Sequence, residues 1–388
     1  MRRKKYLIMQ ALVISLIFIN SLNFSVSWAN NQELEFTEIG YIIARGAYDV
    51  WIDGDLAYVT CGYSGIRIIN ISNPSDIDQI GSLTQSSEGY AHQIFVENNT
   101  AYIGNGRGGL WVVDLSDPEH PVTLCDYVGS GIYGWAVKVI NDVAFVSSGF
   151  PGGFQPGFTI LNVKNPSNPS FLGKYDSAAY VSDLEVIGNF VYIPTNYAGF
   201  TIVDVSNYTE PVIVGQYQAV ADRNAIDTEI EIVGNLAYLI TYQQDPQILD
   251  ISNPTNISVV SSGYLDSNYT VSIKIDEDLA YVPAMNDGLF VFNVSNPTSP
   301  VQLTRYTKAQ RRPYRVVIVD DLIYLIYQEN GLGILSEKSA VTTGATEPTS
   351  SETTTSETTP GLEIFVGLMG FIVIIILKQW KSRKKKLK

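Results

Sequence analysis

The chain is 388 residues long, 45% hydrophobic and 16% charged, which is apolar enough to bury a large core and excludes a chain disordered throughout. Its formal charge of −14 is unevenly spread: residues 30–360 carry 38 acidic against 14 basic side chains, a net −24, because the remaining Lys and Arg crowd into the two ends. A body this negative repels phosphate backbones and excludes nucleic acid as a partner.

In chain order, Arg2, Arg3, Lys4 and Lys5 form a positive start, followed by the apolar run YLIMQALVISLIFI and the small residues Ser27 and Ala29. This order predicts a signal peptide over 1–29, cut between Ala29 and Asn30, with an uncleaved anchor as the alternative.

The phrase GLWVVDLSDPEHPVTLCDY at 109–127 returns as GFTILNVKNPSNPSFLGKY, GFTIVDVSNYTEPVIVGQY and GLFVFNVSNPTSPVQLTRY. The residues closing its central run are Asn70, Asp114, Asn162, Asp204, Asp250, Asn293 and, more weakly, Ser336, at intervals of 44, 48, 42, 46, 43 and 43. Short runs rich in Val, Ile, Tyr and Phe lie between Gly, Asn, Asp and Pro clusters, and no helical periodicity intervenes. A period of about 40–50 residues with strand patterning predicts four-stranded propeller blades over 30–340, an all-β fold.

Within a unit, the DGD, IND, IGN and VDD turns suit two-residue hairpins that need positive φ. The Asp or Asn closing each run, followed by Ser-Asn-Pro, reads as a turn-fixing residue rather than a catalytic one. Six units are complete, and the last, PYRVVIVDDLIYLIYQENGLGILSEK, lacks its fourth strand. LEFTEIGYI at 34–42 has the missing pattern, so the N-terminal strand is expected to close a seven-bladed ring and remove the exposed edges.

Residues 341–360 hold nine Thr and three Ser and read as an extended stalk open to O-glycosylation. The apolar segment 361–377 is near the lower limit for a transmembrane helix, about 17 residues. The basic tail 378–388 orients it with the body outside and the C-terminus in the cytoplasm.

The runs LWVVDLS, FTIVDVS and PQILDIS resemble those of the LVIVD-repeat proteins, over nearly all of 34–338. That resemblance implies a β-propeller of bacterial and archaeal surface proteins and implies no activity. The stalk, short span and basic tail resemble the C-terminal sorting segments of archaeal surface proteins. Pro360-Gly361-Leu362 stands where those carry Pro-Gly-Phe, and a plain transmembrane anchor serves as well.

A propeller brings the starts of its innermost strands together at one mouth of the channel. One register gives Tyr48, His92, Trp135, Ser182, Thr228, Val271 and Tyr314; the next gives Asp49, Gln93, Ala136, Asp183, Glu229, Ser272 and Arg315. The loops between the second and third strands add Tyr63, Arg107, Phe150, Phe154, Tyr197, Gln243 and Asn286. From these the ligand-face candidates are Tyr48, Asp49, His92, Arg107, Trp135, Asp183, Glu229, Tyr314 and Arg315. Aromatic residues with a few charges suit recognition of an extracellular protein or carbohydrate; equally, they could only plug the channel.

The expected function is therefore a non-catalytic, membrane-anchored surface interaction module. The alternative is a surface hydrolase in which Asp49, Asp183 and Glu229 form an acid–base set or hold calcium, and a third reading is a structural coat component. Only His92 and His120 occur, which excludes a His-rich metal centre, and neither a nucleophile elbow nor a phosphate loop is present. Asn98, Asn256 and Asn268 are the better glycosylation candidates; Asn70 and Asn293 fall at turn-fixing positions. Cys61 and Cys125 lie in different repeats and are expected as two buried free thiols.

Overall fold

Tight turns punctuate the chain where the sequence places them. Asn98 and Asn99 have φ of 49° and 56°, Asn141 and Asp142 of 52° and 64°, and Asp320 and Asp321 of 50° and 66°. Both positions positive is the type I′ pattern, whose twist matches that of the flanking strands. At Gly54, Gly188, Gly234 and Glu277 only the first turn residue is positive, the type II′ pattern that prefers glycine. Glu277 meets that requirement without being glycine.

The computed structural model describes residues 34–85, 89–129, 132–148, 155–195, 199–218, 228–241, 246–263, 265, 267, 269–328 and 330–338. The chain divides into two units, Met1–Ser339 and Ala340–Lys388. The signal segment over 1–29, the stalk, the segment 361–377 and the basic tail lie outside the described residues. Among the described residues no helix is long and apolar enough to cross a membrane.

The described strands form seven four-stranded antiparallel sheets. Six are consecutive meanders of strands a to d, here blades one to six, running from strand a to strand d over 49–83, 94–127, 134–176, 185–217, 228–262 and 274–306. The seventh joins strands a to c, Pro313–Val319, Leu322–Tyr327 and Gly331–Glu337, to the N-terminal strand Phe36–Ile43. That closing strand pairs in register from Phe36 with Glu337 to Ile43 with Gly331, irregular between Glu38 and Gly40. Arg311 reinforces it, lying 3.4 Å over the Tyr41 ring and pairing with Glu38, which Lys308 also meets at 3.0 Å. The sevenfold ring, closed by the N-terminus, is as expected.

The turn after strand c has a repeated cause. Asn70, Asp114, Asn162, Asp204, Asp250 and Asn293 each accept through Oδ1 the amide two residues on, at 2.8–3.0 Å. Three residues later Asn73, Asp117, Asn165, Asn207, Asn253 and Asn296 repeat the bond at 3.1–3.3 Å. These are side-chain-capped turns, which confirms the turn-fixing reading.

Each seam between adjacent blades has its own apolar cluster. Between blades one and two, for example, Ile66 and Ile68 pack with Ile94, Ile103 and the fully buried Trp111. A second rule governs strand d. Its residue opposite Ile68, Val112, Ile160, Ile202, Ile248, Val291 or Ile334 is small: Gly81, Cys125, Gly173, Gly215, Ser261, Thr304 or Gly40. At Gly81 a Cβ would fall on the Pro118 carbonyl oxygen of the next blade, and at Gly215 on that of Pro254. Cys125 is the small residue at this position of blade two. It and Cys61 are both free thiols, but Cys125 is only half-buried, because strand d is the outer edge of its blade.

Two substitutions test these rules by urea denaturation of the full chain. Glu277→Gly should stabilise it by about 1 kcal/mol, by relieving a left-handed side-chain conformation. Gly81→Val should destabilise it by about 1–3 kcal/mol, because the neighbouring backbone must move.

Candidate functional site

Strand a is innermost in every blade, so its first residues surround the axis. The uppermost ring is aromatic in blades seven, one, two and three. The Tyr48 ring meets Tyr314 at 5.5 Å and His92 at 5.4 Å, both edge-on, and His92 stacks on Trp135 at 4.0 Å. Two tyrosines outside the expected set join them: Tyr90, 4.7 Å from His92, and Tyr133, 6.1 Å from His92. Their signal was present, since Tyr90, Tyr133, Tyr180 and Tyr269 all stand two residues ahead of a ring position. Tyr63, stacked edge-on against Tyr90 at 4.6 Å, is 76% exposed and forms the rim.

His92 is only 4% exposed, and among the described residues neither ring nitrogen has a hydrogen-bond partner. Burial pushes its pKa down to about 3, so the imidazole is neutral under ordinary conditions.

Beneath this layer lies a polar web. Arg315 Nε forms an ion pair with Asp49 Oδ1 at 2.9 Å, and its Nη1 donates to Glu229 Oε2 at 2.7 Å. Asp49 Oδ2 accepts the backbone amide of Ile94 at 3.0 Å. Asp183 accepts the amide of Ile230 through Oδ2 and Gln93 Nε2 through Oδ1, both at 3.0 Å. Glu229 Oε1 accepts Ser272 Oγ at 3.1 Å. Every blade except the third, where Ala136 stands, contributes to this web.

Asp49, Asp183, Glu229 and Arg315, expected at the ligand face, line the recess at the mouth with their charged groups engaged by one another and by neighbouring blades. They are staples between blades, sunk beneath the aromatic ring because their partners are backbone amides and each other. Burial raises the pKa of Asp183. Burial, with Asp183 and Asp49 nearby, pushes Glu229 up to about 8 against the pull of Arg315. Burial also works against the charge of Arg315, but Asp49, Glu229 and Asp183 together hold it protonated.

The two layers enclose a recess of about 40 Å³ at the mouth, lined by Tyr48, His92, Trp135, Tyr314 and the polar web. Below it the channel widens to about 280 Å³. There Lys138 pairs with Glu185 at 2.6 Å and Lys274 with Glu231 at 2.5 Å, facing Trp51 and Phe95, whose rings are 4.9 Å apart.

Arg107 is exposed on its loop and outside the recess, where its charge reaches Tyr133. Val271 and Ser182 line the recess. Asn286 is exposed on a short 3-10 turn. Phe150, Phe154, Tyr197, Gln243, Asn268 and the side chain of Thr228 lie outside the described residues. Asn98 and Asn256 are exposed in turns on the face opposite the mouth, while the Asn70 and Asn293 oxygens hold their turns. Among the described residues no three metal-ligating side chains converge; the guanidinium of Arg315 already lies between Asp49 and Glu229.

The LVIVD repeat family matches residues 44–84, 88–128, 150–177, 178–219, 227–264 and 268–308, more than half of the chain. The split seventh blade is outside these matches. The WD40 β-propeller domain of Doa1 superposes with a TM-score of 0.61 at 11% identity, covering 79% of this chain and 98% of that one. The computationally designed Ika8 protein does so with a TM-score of 0.56 at 8% identity, covering 76% and 98%. At such identities the likeness concerns the fold alone. No curated protein matches the chain in sequence.

Arg315→Met should destabilise the ring by about 3–5 kcal/mol, because it strands buried carboxylates without their cation. Chemical denaturation reads this directly. The folded pKa of Glu229 lies above its unfolded value of 4.5, so stability falls as pH rises toward about 8. His92 acts oppositely, losing stability on acidification, but only below 6.5. Melting temperature should therefore fall between pH 6.5 and 8.5, and Glu229→Gln should flatten that slope.

Proposed function

Since the chain belongs to the LVIVD repeat family, we propose that it is a non-catalytic cell-surface interaction module whose mouth face binds an extracellular protein or carbohydrate. The observation that carries this reading is the convergence of Tyr48, Tyr90, His92, Tyr133, Trp135 and Tyr314 at one end of the channel, with Tyr63 exposed on its rim. Large rigid rings give contact area at low entropic cost. The positive start, apolar run, Thr-rich stalk, short apolar span and basic tail support export. They support a propeller outside a membrane, with either a transmembrane anchor or an archaeal-type sorting segment holding it there.

The runner-up is a surface hydrolase, and one observation favours it: Glu229 keeps its proton up to about pH 8, as a general acid must. Against it, the oxygens of Asp49, Asp183 and Glu229 already accept donors from the web. Calcium assistance would require these same oxygens to exchange partners.

Binding of the full chain, reconstituted in liposomes, to cell envelopes tests the reading. Tyr63→Ala with Arg107→Ala should reduce binding at least tenfold, and Phe171→Ser on the outer strand of blade three should leave it unchanged. Equal binding by the rim variant, or hydrolysis of a chromogenic glycoside that Glu229→Gln abolishes, would overturn it.

A further inference from the structure

We propose that the mouth recess receives the adjacent hydroxyls of a neutral sugar at the end of a glycan chain; this rests on reading the mouth as the binding face and names its ligand. The first support is His92. It lines the recess, is 96% buried by its 4% exposure, and has two ring nitrogens without a partner among the described residues. A buried polar group without a partner is costly. A neutral imidazole offers one donor and one acceptor, and a hydroxyl is the ligand group that answers both.

The second support is the balance of charge around the recess. Arg315, Asp49 and Asp183 all line the recess, so a ligand charge of either sign meets a like charge in a poorly solvated site. A neutral polyol meets no such penalty.

The third support is size and shape. About 40 Å³ accommodates two or three waters and hence the hydroxyl edge of one sugar, not its whole ring. The ring itself then rests above, where Trp135, Tyr90 and the exposed Tyr63 offer faces and edges to its apolar C–H surface. A basic or acidic peptide side chain fits this recess worse on charge, and a bulky apolar one fits it worse on volume.

The chain has only two histidines, His92 and His120, and the His120 side chain is 78% exposed in a turn on the opposite face. Full chain labelled with 15N-histidine therefore reports the recess through one of two sets of ring signals. Maltotriose, mannotriose and N,N′,N″-triacetylchitotriose serve as neutral probes, with sialyllactose and a Lys-Gly-Lys peptide as charged ones.

At least one neutral probe should shift the His92 ring nitrogens saturably and leave His120 unmoved. Trp135→Phe should keep most of that affinity, and Tyr63→Ala, which removes only an exposed rim ring, should weaken it at least threefold. A shift with the peptide alone would overturn the sugar inference and leave the interaction reading standing. If no probe moves His92, the recess holds only water and the inference falls. If the rim variant also binds envelopes normally, both readings fail.

Discussion

One guanidinium ties the mouth of the ring together. Arg315 reaches from blade seven to Asp49 in blade one and across the axis to Glu229 in blade five. From there the web runs to the amides of Ile94 and Ile230, to Gln93 and to Ser272. Each carboxyl group was taken out of water, and the web is tolerable only because donors were placed around it in advance. A partly satisfied web of this kind would cost more than an apolar plug. Its completeness therefore depends on every participating blade sitting at its proper angle. The closing strand Phe36–Ile43 matters for the same reason, since it completes the sheet that carries Arg315.

The web also decides what chemistry is left for the mouth. With Asp49, Asp183 and Glu229 committed to neighbouring blades, the groups still able to bind something are the aromatic ring and its buried, unpartnered imidazole. These sit on a scaffold whose seven seams each have a dedicated apolar cluster. Little reorganisation is needed for them to bind, and preorganised surfaces lose less entropy on binding.

Much of this was legible in the sequence, because its causes are local. The Asn98-Asn99 and Asp320-Asp321 turns, the Asp114 type of side-chain cap and the 42–48-residue spacing each follow from residues within a few positions of one another. The ring registers were legible too, since the repeat carries every strand a to the axis. The staple role was not. Asp49 and Asp183 bond to backbone amides of Ile94 and Ile230, and an amide leaves no mark on the identity of its residue. The small residues of strand d were visible as Gly81, Gly173 and Gly215, but Cys125 and Thr304 disguised the rule. Only the packing of each blade under its neighbour's turn shows why small size is required.

Native-state hydrogen exchange of the Ile94 and Ile230 amides tests the central claim most directly. Both donate to buried carboxylates that bind the blades to one another, so their opening should require unfolding of the ring. They should exchange as slowly as the strand amides of the seams and no faster than global unfolding allows. Exchange as fast as that of the loop amides near Tyr63 would mean that the carboxylates do not staple the blades, and the account of the mouth would be contradicted.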